Sequence, residues 1–370
     1  MNTTEIHGAG HTLWDVDLMH SSRFLCRSGF HVVFALTVAL VFTSLFVAAQ
    51  TVEEDRNPWR VAGAVLPLRP AHVYASGVAQ SARDKVIIDT DIGDDIDDAF
   101  ALALAIKSRE LEILGIETTF GDTETRARIV DRFLGEIGRG DIPVLAGKKT
   151  PAKTSMSQGR YAEGGHFAKS SHSDAVEFLL AQIQKYPGEI TLICIGPLFN
   201  VGGAIDRDAA TFRKLKRVVM MGVSIRRGYG DLGYNEHVAP QPEWNILNDI
   251  ASAQKLFASG VPVYVMPLDS TQLKLDEVKR GFLFTRGTPI TDQLTILYHL
   301  WGQETPTLFD PMAVGFAIRP ELCPVTPLHI RVDEKGYTRE EAGAANAEVC
   351  LDSKPDDFFV FYLKRVGGVE

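Results

Sequence analysis

Positive charge is in short supply in this sequence: 38 Lys and Arg stand against 47 Asp and Glu over 370 residues, a net charge of −9. Nucleic-acid-binding surfaces are built on a basic excess, so no nucleic-acid partner is expected. Cysteine is scarce as well, with four residues. Their spacing matches neither a zinc site nor a disulfide framework. Cys194 lies in an apolar stretch and reads as core, while Cys323 and Cys350 could pair in an oxidising compartment. Internal repeats and low-complexity tracts are missing, which argues against a solenoid. The 45% hydrophobic and 23% charged content is that of an ordinary globular chain.

Long hydrophobic runs are rare too, but one is present. Phe30 to Ala49 contains no acidic residue, Lys or Arg, and Arg23 and Arg27 precede it. It is long enough to span a bilayer, and basic flanks ahead of it suit an inside N-terminus. It also ends in Val47-Ala48-Ala49, small residues that suit signal-peptidase cleavage before Gln50. Residues 1–49 therefore read as a signal peptide or a membrane anchor, and the rest as exported: periplasmic, secreted, or held outside the membrane. Membrane contact is expected only through that segment. Residues 50–83, with Pro58, Pro67 and Pro70, read as a linker or extension.

From residue 84 to 370 the pattern changes. Short β-branched runs (Val86–Asp89, Ile113–Thr119, Pro143–Ala146, Ile190–Ile195, Arg217–Gly222, Val261–Met266) alternate with helical patterns (Asp97–Lys107, Thr123–Ile137, Ser173–Lys185, Asp249–Ala258, Leu273–Phe284). The alternation predicts an α/β fold, a mostly parallel open sheet with helices on both faces, as a single domain. Strand-like pieces follow at His329–Val332 and Ala347–Leu351, and Phe358–Leu363 could be strand or helix. Ligands in such sheets bind beyond the carboxyl ends of the strands.

Directly after the first predicted strand come six aspartates in DTDIGDDIDDAFAL: Asp89, Asp91, Asp94, Asp95, Asp97 and Asp98. Two carboxylates about 4 Å apart repel by roughly 4 kcal/mol at an effective dielectric of 20. A helix N-terminus returns only about 0.3–1 kcal/mol per acid. The nearest basic side chains along the chain, Lys85 and Lys107, lie outside the run, so a bound hard cation is expected. An EF-hand is excluded, because Gly93 falls one position early and Phe100 stands where the bidentate Glu belongs. A strand followed by D-x-D also opens haloacid-dehalogenase-type phosphatases.

Asp89-x-Asp91-x-Gly93 followed by Asp97-Asp98-Ala99 resembles a longer variant of the N-terminal fingerprint of the inosine–uridine nucleoside hydrolases. Ile195-Gly196-Pro197-Leu198-x-Asn200 is similar to the family's Gly-Pro-Leu-Thr-Asn turn. Val218 to Gly222 resembles the strand whose methionine, here Met221, lines the sugar pocket. Pro242-Glu243-Trp244-Asn245 resembles the Ala-Glu-Phe-Asn segment, Pro267-Leu268-Asp269-x-Thr271 another family segment, and Asp310-Pro311-Met312-Ala313 the late Asp-Pro-x-Ala motif. The resemblance runs from about residue 85 to 363.

It implies Ca²⁺ held by Asp91, Asp98, Asp310 and the carbonyl of Ile195, an all-oxygen set suited to a hard ion. Asp91 would also be the general base that activates water against the N-glycosidic bond of a ribonucleoside. Asp97 and Asn245 would grip the ribose hydroxyls, with Glu243 near the 5′ end. Asp122 stands where the family often has Asn, and a turn or helix-cap role fits it nearly as well. Phe309 precedes Asp310 where purine-capable members often carry the histidine that protonates the base. His237, in a Gly-rich stretch with Tyr229 and Tyr234, or His166 could replace it. The family's habit of forming dimers or tetramers makes a homo-oligomer an expectation. Two alternatives remain open: a non-catalytic nucleoside or pentose receptor, and a D-x-D phosphatase.

Overall fold

In the computed structural model, which describes residues 83–151, 156–163 and 165–369, the alternating pattern becomes a nine-stranded sheet. Its strands are β1 (Asp84–Thr90), β2 (Leu111–Thr118), β3 (Val144–Ala146), β4 (Ser173–Asp174), β5 (Ile190–Cys194), β6 (Arg217–Met221), β7 (Val263–Met266), β8 (Thr326–Leu328) and β11 (Ala347–Val349). They lie in the order β4-β3-β2-β1-β5-β6-β7-β11-β8. All neighbours pair in parallel except β11 with β8. A separate antiparallel hairpin joins β9 (Ile330–Val332) to β10 (Thr338–Glu340), with Glu334-Lys335-Gly336 in its turn.

Twelve helices cover the sheet: α1 (Asp97–Ile106), α2 (Thr123–Glu136), α3 (Gly159–Glu163), α4 (Ala175–Lys185), α5 (Phe199–Phe212), α6 (Trp244–Asn248), α7 (Ile250–Phe257), α8 (Leu268–Thr271), α9 (Glu277–Phe284), α10 (Pro289–Trp301), α11 (Pro311–Ile318) and α12 (Pro355–Gly367). Alternate residues of β1 feed two cores, as the two-residue period of a strand requires. Val86 and Ile88 face the layer with α1, α2, α10, α11 and α12, and Ile87 faces α4, α5 and α7. The expected architecture holds. Helix α1 is buried from Asp97 to Ala105. Its alanines at 99, 101, 103 and 105 let neighbours approach, and the buried Phe100 ring contributes about 1.5–3 kcal/mol through its removal from water.

Side-chain capping moved several boundaries. Asp174 accepts the N–H of Glu177 at 2.7 Å, so α4 begins at Ala175, and Ser173 and Asp174 pair with β3 instead. Asp276 caps α9 through the N–H of Lys279 at 3.0 Å, which starts that helix after the stretch predicted from Leu273; Lys274 bridges to Thr307. The ambiguous run Phe358–Leu363 is helical and lies inside α12.

Cys194 is buried and free, and Cys323 and Cys350 form a disulfide with Cα atoms 5.5 Å apart. The hydrophobic run at 30–49 and the extension up to residue 82 lie outside the described residues. Among the described residues no helix is long and apolar enough to cross a membrane.

Candidate active site

The strand order reverses direction between β1 and β5, the chain running outward through β2, β3 and β4 on one side and through β6 and β7 on the other. A crevice opens beyond the carboxyl ends at such a switch point. Asp91 follows β1, and Ile195 follows β5. Gly196 is required there, because a Cβ would stand 2.9 Å from both the backbone nitrogen and the Oδ1 of Asp91. A cavity of about 600 Å³ occupies the crevice. Asp91, Asp97, Asp98, Ile195, Met221, Glu243, Asn245 and Asp310 all line it.

Carboxylate oxygens of Asp97, Asp98 and Asp310 lie within 4.8 Å of one another, and all three residues are buried. Asp97 and Asp98 form the first turn of α1. Asp310 precedes Pro311 at the start of α11, and its side chain does not cap that helix. The backbone N–H of Asp310 donates to Oδ2 of Asp97 at 3.3 Å, and the Thr90 hydroxyl donates to Asp98. Burial, followed by the charges of its neighbours, holds the pKa of each of the three well above the usual carboxylate range.

Part of the charge problem is answered within the chain. Arg126 of α2 is 2% exposed. Its guanidinium donates to the carbonyl of Phe120 at 2.7 Å, of Ile92 at 2.9 Å and of Asp91, and it pairs with Asp94 at 2.7 Å. This gives Asp94 a place in the structure. Asp95 accepts the N–H of Ile96 at 2.7 Å. Burial raises Asp91 to about 6, against the lowering effect of Arg126. No basic side chain forms an ion pair with Asp97, Asp98 or Asp310 among the described residues. Their oxygen donors are hard, so Ca²⁺ or Mg²⁺ fits the trio.

Glu243 is buried and held by backbone donors: N–H of Asn245 at 3.0 Å, of Ile246 at 3.1 Å and of Val223 at 3.2 Å. It caps α6, and burial raises it to about 7 against those hydrogen bonds. The Asn245 amide donates to the carbonyl of Met221 at 3.1 Å, which fixes α6 against the end of β6. Asp89 stands behind the cavity, accepting from Asn200 of α5 at 2.8 Å.

Two expected residues are elsewhere. His237 does not line the cavity; its ring is 69% exposed and pairs with Asp231 at 2.7 Å. Asp122 caps α2, taking the Thr125 hydroxyl at 3.0 Å, and lines a neighbouring cavity of about 550 Å³ with Arg126 and Arg128. His166 contacts Phe167. Asp97, expected to grip the sugar hydroxyls with Asn245, stands with Asp98 and Asp310, while Asp91, expected among the metal ligands, lies in the same cavity outside that tight trio.

Trp301, Gln303 and Ser157, which were not foreseen, complete the wall with Trp244, Phe309 and Tyr229. Tyr229 meets Phe309 edge to face with ring centres 6.0 Å apart. Its hydroxyl accepts the N–H of Trp244 at 2.9 Å and reaches Glu243 at 3.4 Å. The buried indole of Trp301 stands beside Asp95 and opposes the rise that burial gives its pKa. An aromatic wall facing a carboxylate floor suits a flat base joined to a polyol.

The family model described as inosine-uridine preferring nucleoside hydrolase matches residues 86–360. Uridine nucleosidase 1 of Arabidopsis thaliana is 31% identical over 286 residues, covering 71% of this chain and 82% of its own. A pyrimidine-specific ribonucleoside hydrolase of Citrobacter koseri is 27% identical over 310 residues, covering 77% and 95%. The fold matches a solved plant nucleoside hydrolase with TM-score 0.67 at 24% identity, over 77% of this chain and 99% of that one. It also matches an inosine-uridine preferring nucleoside hydrolase from Bacillus anthracis with TM-score 0.64 at 22% identity, over 77% and 100%.

Proposed function

The chain belongs to the inosine-uridine preferring nucleoside hydrolase family and hydrolyses the N-glycosidic bond of ribonucleosides; from that premise we propose that it does so with Ca²⁺ at Asp97, Asp98 and Asp310 and with Asp91 as general base. The observation that carries the reading is the buried trio, which forms no ion pair with a basic side chain among the described residues, beside Asp91 in one aromatic-walled cavity. When bound, the ion would orient the ribose hydroxyls and make a nearby water more acidic. Ile195 lines the same wall, and its carbonyl would add a further oxygen.

Asp91 takes a proton from the attacking water. The bond between C1′ and the base nitrogen breaks with its electron pair leaving on the base. The water oxygen adds to C1′, the departing base takes up a proton from solvent and Asp91 returns its proton to solvent, so the products are ribose and the neutral base. The buried carboxylates favour the oxocarbenium character of the sugar on the way. Asn245 and Asp97 would hold sugar hydroxyls. The aromatic wall shields the base from water.

Uridine is the first substrate to assay, since two of the relatives carry uridine or pyrimidine in their names and Phe309 has no proton to offer a purine. The purified protein is expected to release ribose from uridine, and chelation is expected to abolish this. Asp91→Asn should reduce turnover by at least about a hundredfold. Undiminished turnover in that variant would remove the role of Asp91. A D-x-D phosphatase would instead release phosphate from phosphomonoesters, and it leaves Asp310 and Glu243 unused. Export by residues 1–49 is part of the proposal, supported by the Cys323–Cys350 disulfide, because such bonds persist in oxidising compartments. Assembly into a dimer or tetramer completes it, to be checked by light scattering.

A further inference from the structure

The opposite end of the sheet carries a second feature. Arg83 precedes β1, Lys107 and Arg109 lie in the turn between α1 and β2, and Lys364 lies in the last turn of α12. All four are exposed. With the ring of Phe361 between them, they line a groove of about 1100 Å³ at the amino ends of the strands. Its one acidic residue, Glu110, is bound by Arg365 through two contacts of 2.6 and 2.9 Å. Arg83, Lys107, Arg109 and Lys364 make no ion pair among the described residues. Two apolar side chains stand out beside them: Val360 is 60% exposed and Val369 is 37% exposed.

Helix ends explain only part of this. Cations complement the C-termini of α1 and α12, which covers Lys107 and Lys364. Arg83 and Arg109 serve neither terminus, and a dipole does not call for an exposed valine. In a chain of net charge −9, four cations that form no ion pair among the described residues, set around an apolar ridge, form a local reversal of sign.

We propose that this end of the domain docks on the anionic surface of a lipid bilayer. The cations would meet lipid phosphates, and Val360 and Val369 would enter the headgroup layer. The inference rests on reading residues 30–49 as a segment that directs the chain to a membrane. The described chain enters at Arg83, inside the groove, and the hydrophobic run lies upstream of it. Tethering of this kind turns a weak surface contact into a local one with a high effective concentration. Docking in this orientation leaves the carboxylate cavity, at the far end of β1, facing away from the lipid and open to nucleosides.

The test is amine acetylation of the full chain, read by mass spectrometry, with vesicles of phosphatidylcholine alone or mixed with phosphatidylglycerol. Lys107 and Lys364 should label about fivefold more slowly on the anionic vesicles, and high salt should remove the difference. Lys148, beyond the carboxyl end of β3, should label equally on both. The Arg83→Gln/Arg109→Gln variant keeps both reporter lysines and should lose most of the protection while releasing ribose from uridine as before. Equal labelling of Lys107 and Lys364 on the two vesicles overturns the proposal. So does protection that appears in detergent without lipid and rises with protein concentration, because a second copy would then fill the groove. Flotation separates the two readings: a chain that fails to float with neutral vesicles defeats the anchor, while labelling with added anionic vesicles still decides the docking.

Discussion

Asp310→Asn should change sign with calcium. Oxygens of Asp97, Asp98 and Asp310 lie within 4.8 Å of one another, so at an effective dielectric of 20 each ionised pair repels by about 3.5 kcal/mol. The substitution removes two of the three repulsions. The carboxyls already relieve some of this by holding protons, since burial and mutual charge raise all three. The stabilisation realised without metal should therefore be on the order of 1–3 kcal/mol. A carboxyl whose folded pKa lies above its unfolded value makes the fold less stable as pH rises through the folded pKa. The gain from Asp310→Asn in chelator should accordingly grow as pH rises above the usual carboxylate range. Calcium at a hundred times its dissociation constant would add about 2.7 kcal/mol to the native protein and much less to the variant. Thermal unfolding reads the crossover: the variant melts a few degrees higher in chelator and lower in saturating calcium. A variant equally destabilised in both conditions would make Asp310 a structural residue, and melting curves indifferent to calcium would remove the cation site altogether.

The disulfide closes a loop with a sequence separation of 27, so Cys323→Ser/Cys350→Ser should lose about 3.5 kcal/mol, measured by guanidinium unfolding. Reductant should produce the same loss in the native protein and none in the variant. His172 contacts Glu124 at 2.8 Å and Asp131 at 2.9 Å, tying the segment before α4 to α2. Burial opposes its charge, but the two carboxylates prevail and raise its pKa above 6.5. Asp131, opposed likewise by burial, is held below 3.8 by His172 and by the Lys169 N–H. The contribution of His172 is complete below its unfolded pKa and is lost as pH rises through the folded one; that of Asp131 is lost as pH falls through its depressed value. His172→Gln should therefore lower the melting temperature most between about pH 4 and 6.5 and least near pH 9, and a constant difference across that range would refute the charged pairing.

The fold was legible because its signals are local. The runs at Val86–Asp89 and Ile190–Ile195 are continuous and β-branched, as strands buried on both faces must be. Helix α2 repeats apolar or buried positions at 126, 127, 130, 133 and 134 behind a capping Asp122. Boundaries moved where a side chain outcompeted the backbone pattern, at Asp174 and Asp276. Helices α5, α10 and α11 were not foreseen. Helix α11 is buried from Pro311 to Ala317, and an element that is apolar all round shows no stripe to read.

The carboxylate chemistry was legible for a different reason. Six aspartates within ten residues call for compensating positive charge, and a D-x-D-x-G string after a strand places that demand at the end of a sheet. The chain alone therefore determined the α/β class and set a cluster of hard-oxygen side chains at the end of the sheet where ligands bind. Tertiary structure decided which charges meet. Asp310 joins Asp97 across 213 residues, and Arg126 reaches the run from α2 to neutralise Asp94, which separation along the chain concealed. The same folding turned His237 toward Asp231 and built the aromatic wall from Tyr229, Trp244 and Trp301. Charge and periodicity act between neighbours and can be read in order, whereas a pairing between distant residues exists only after the sheet has brought its strand ends together.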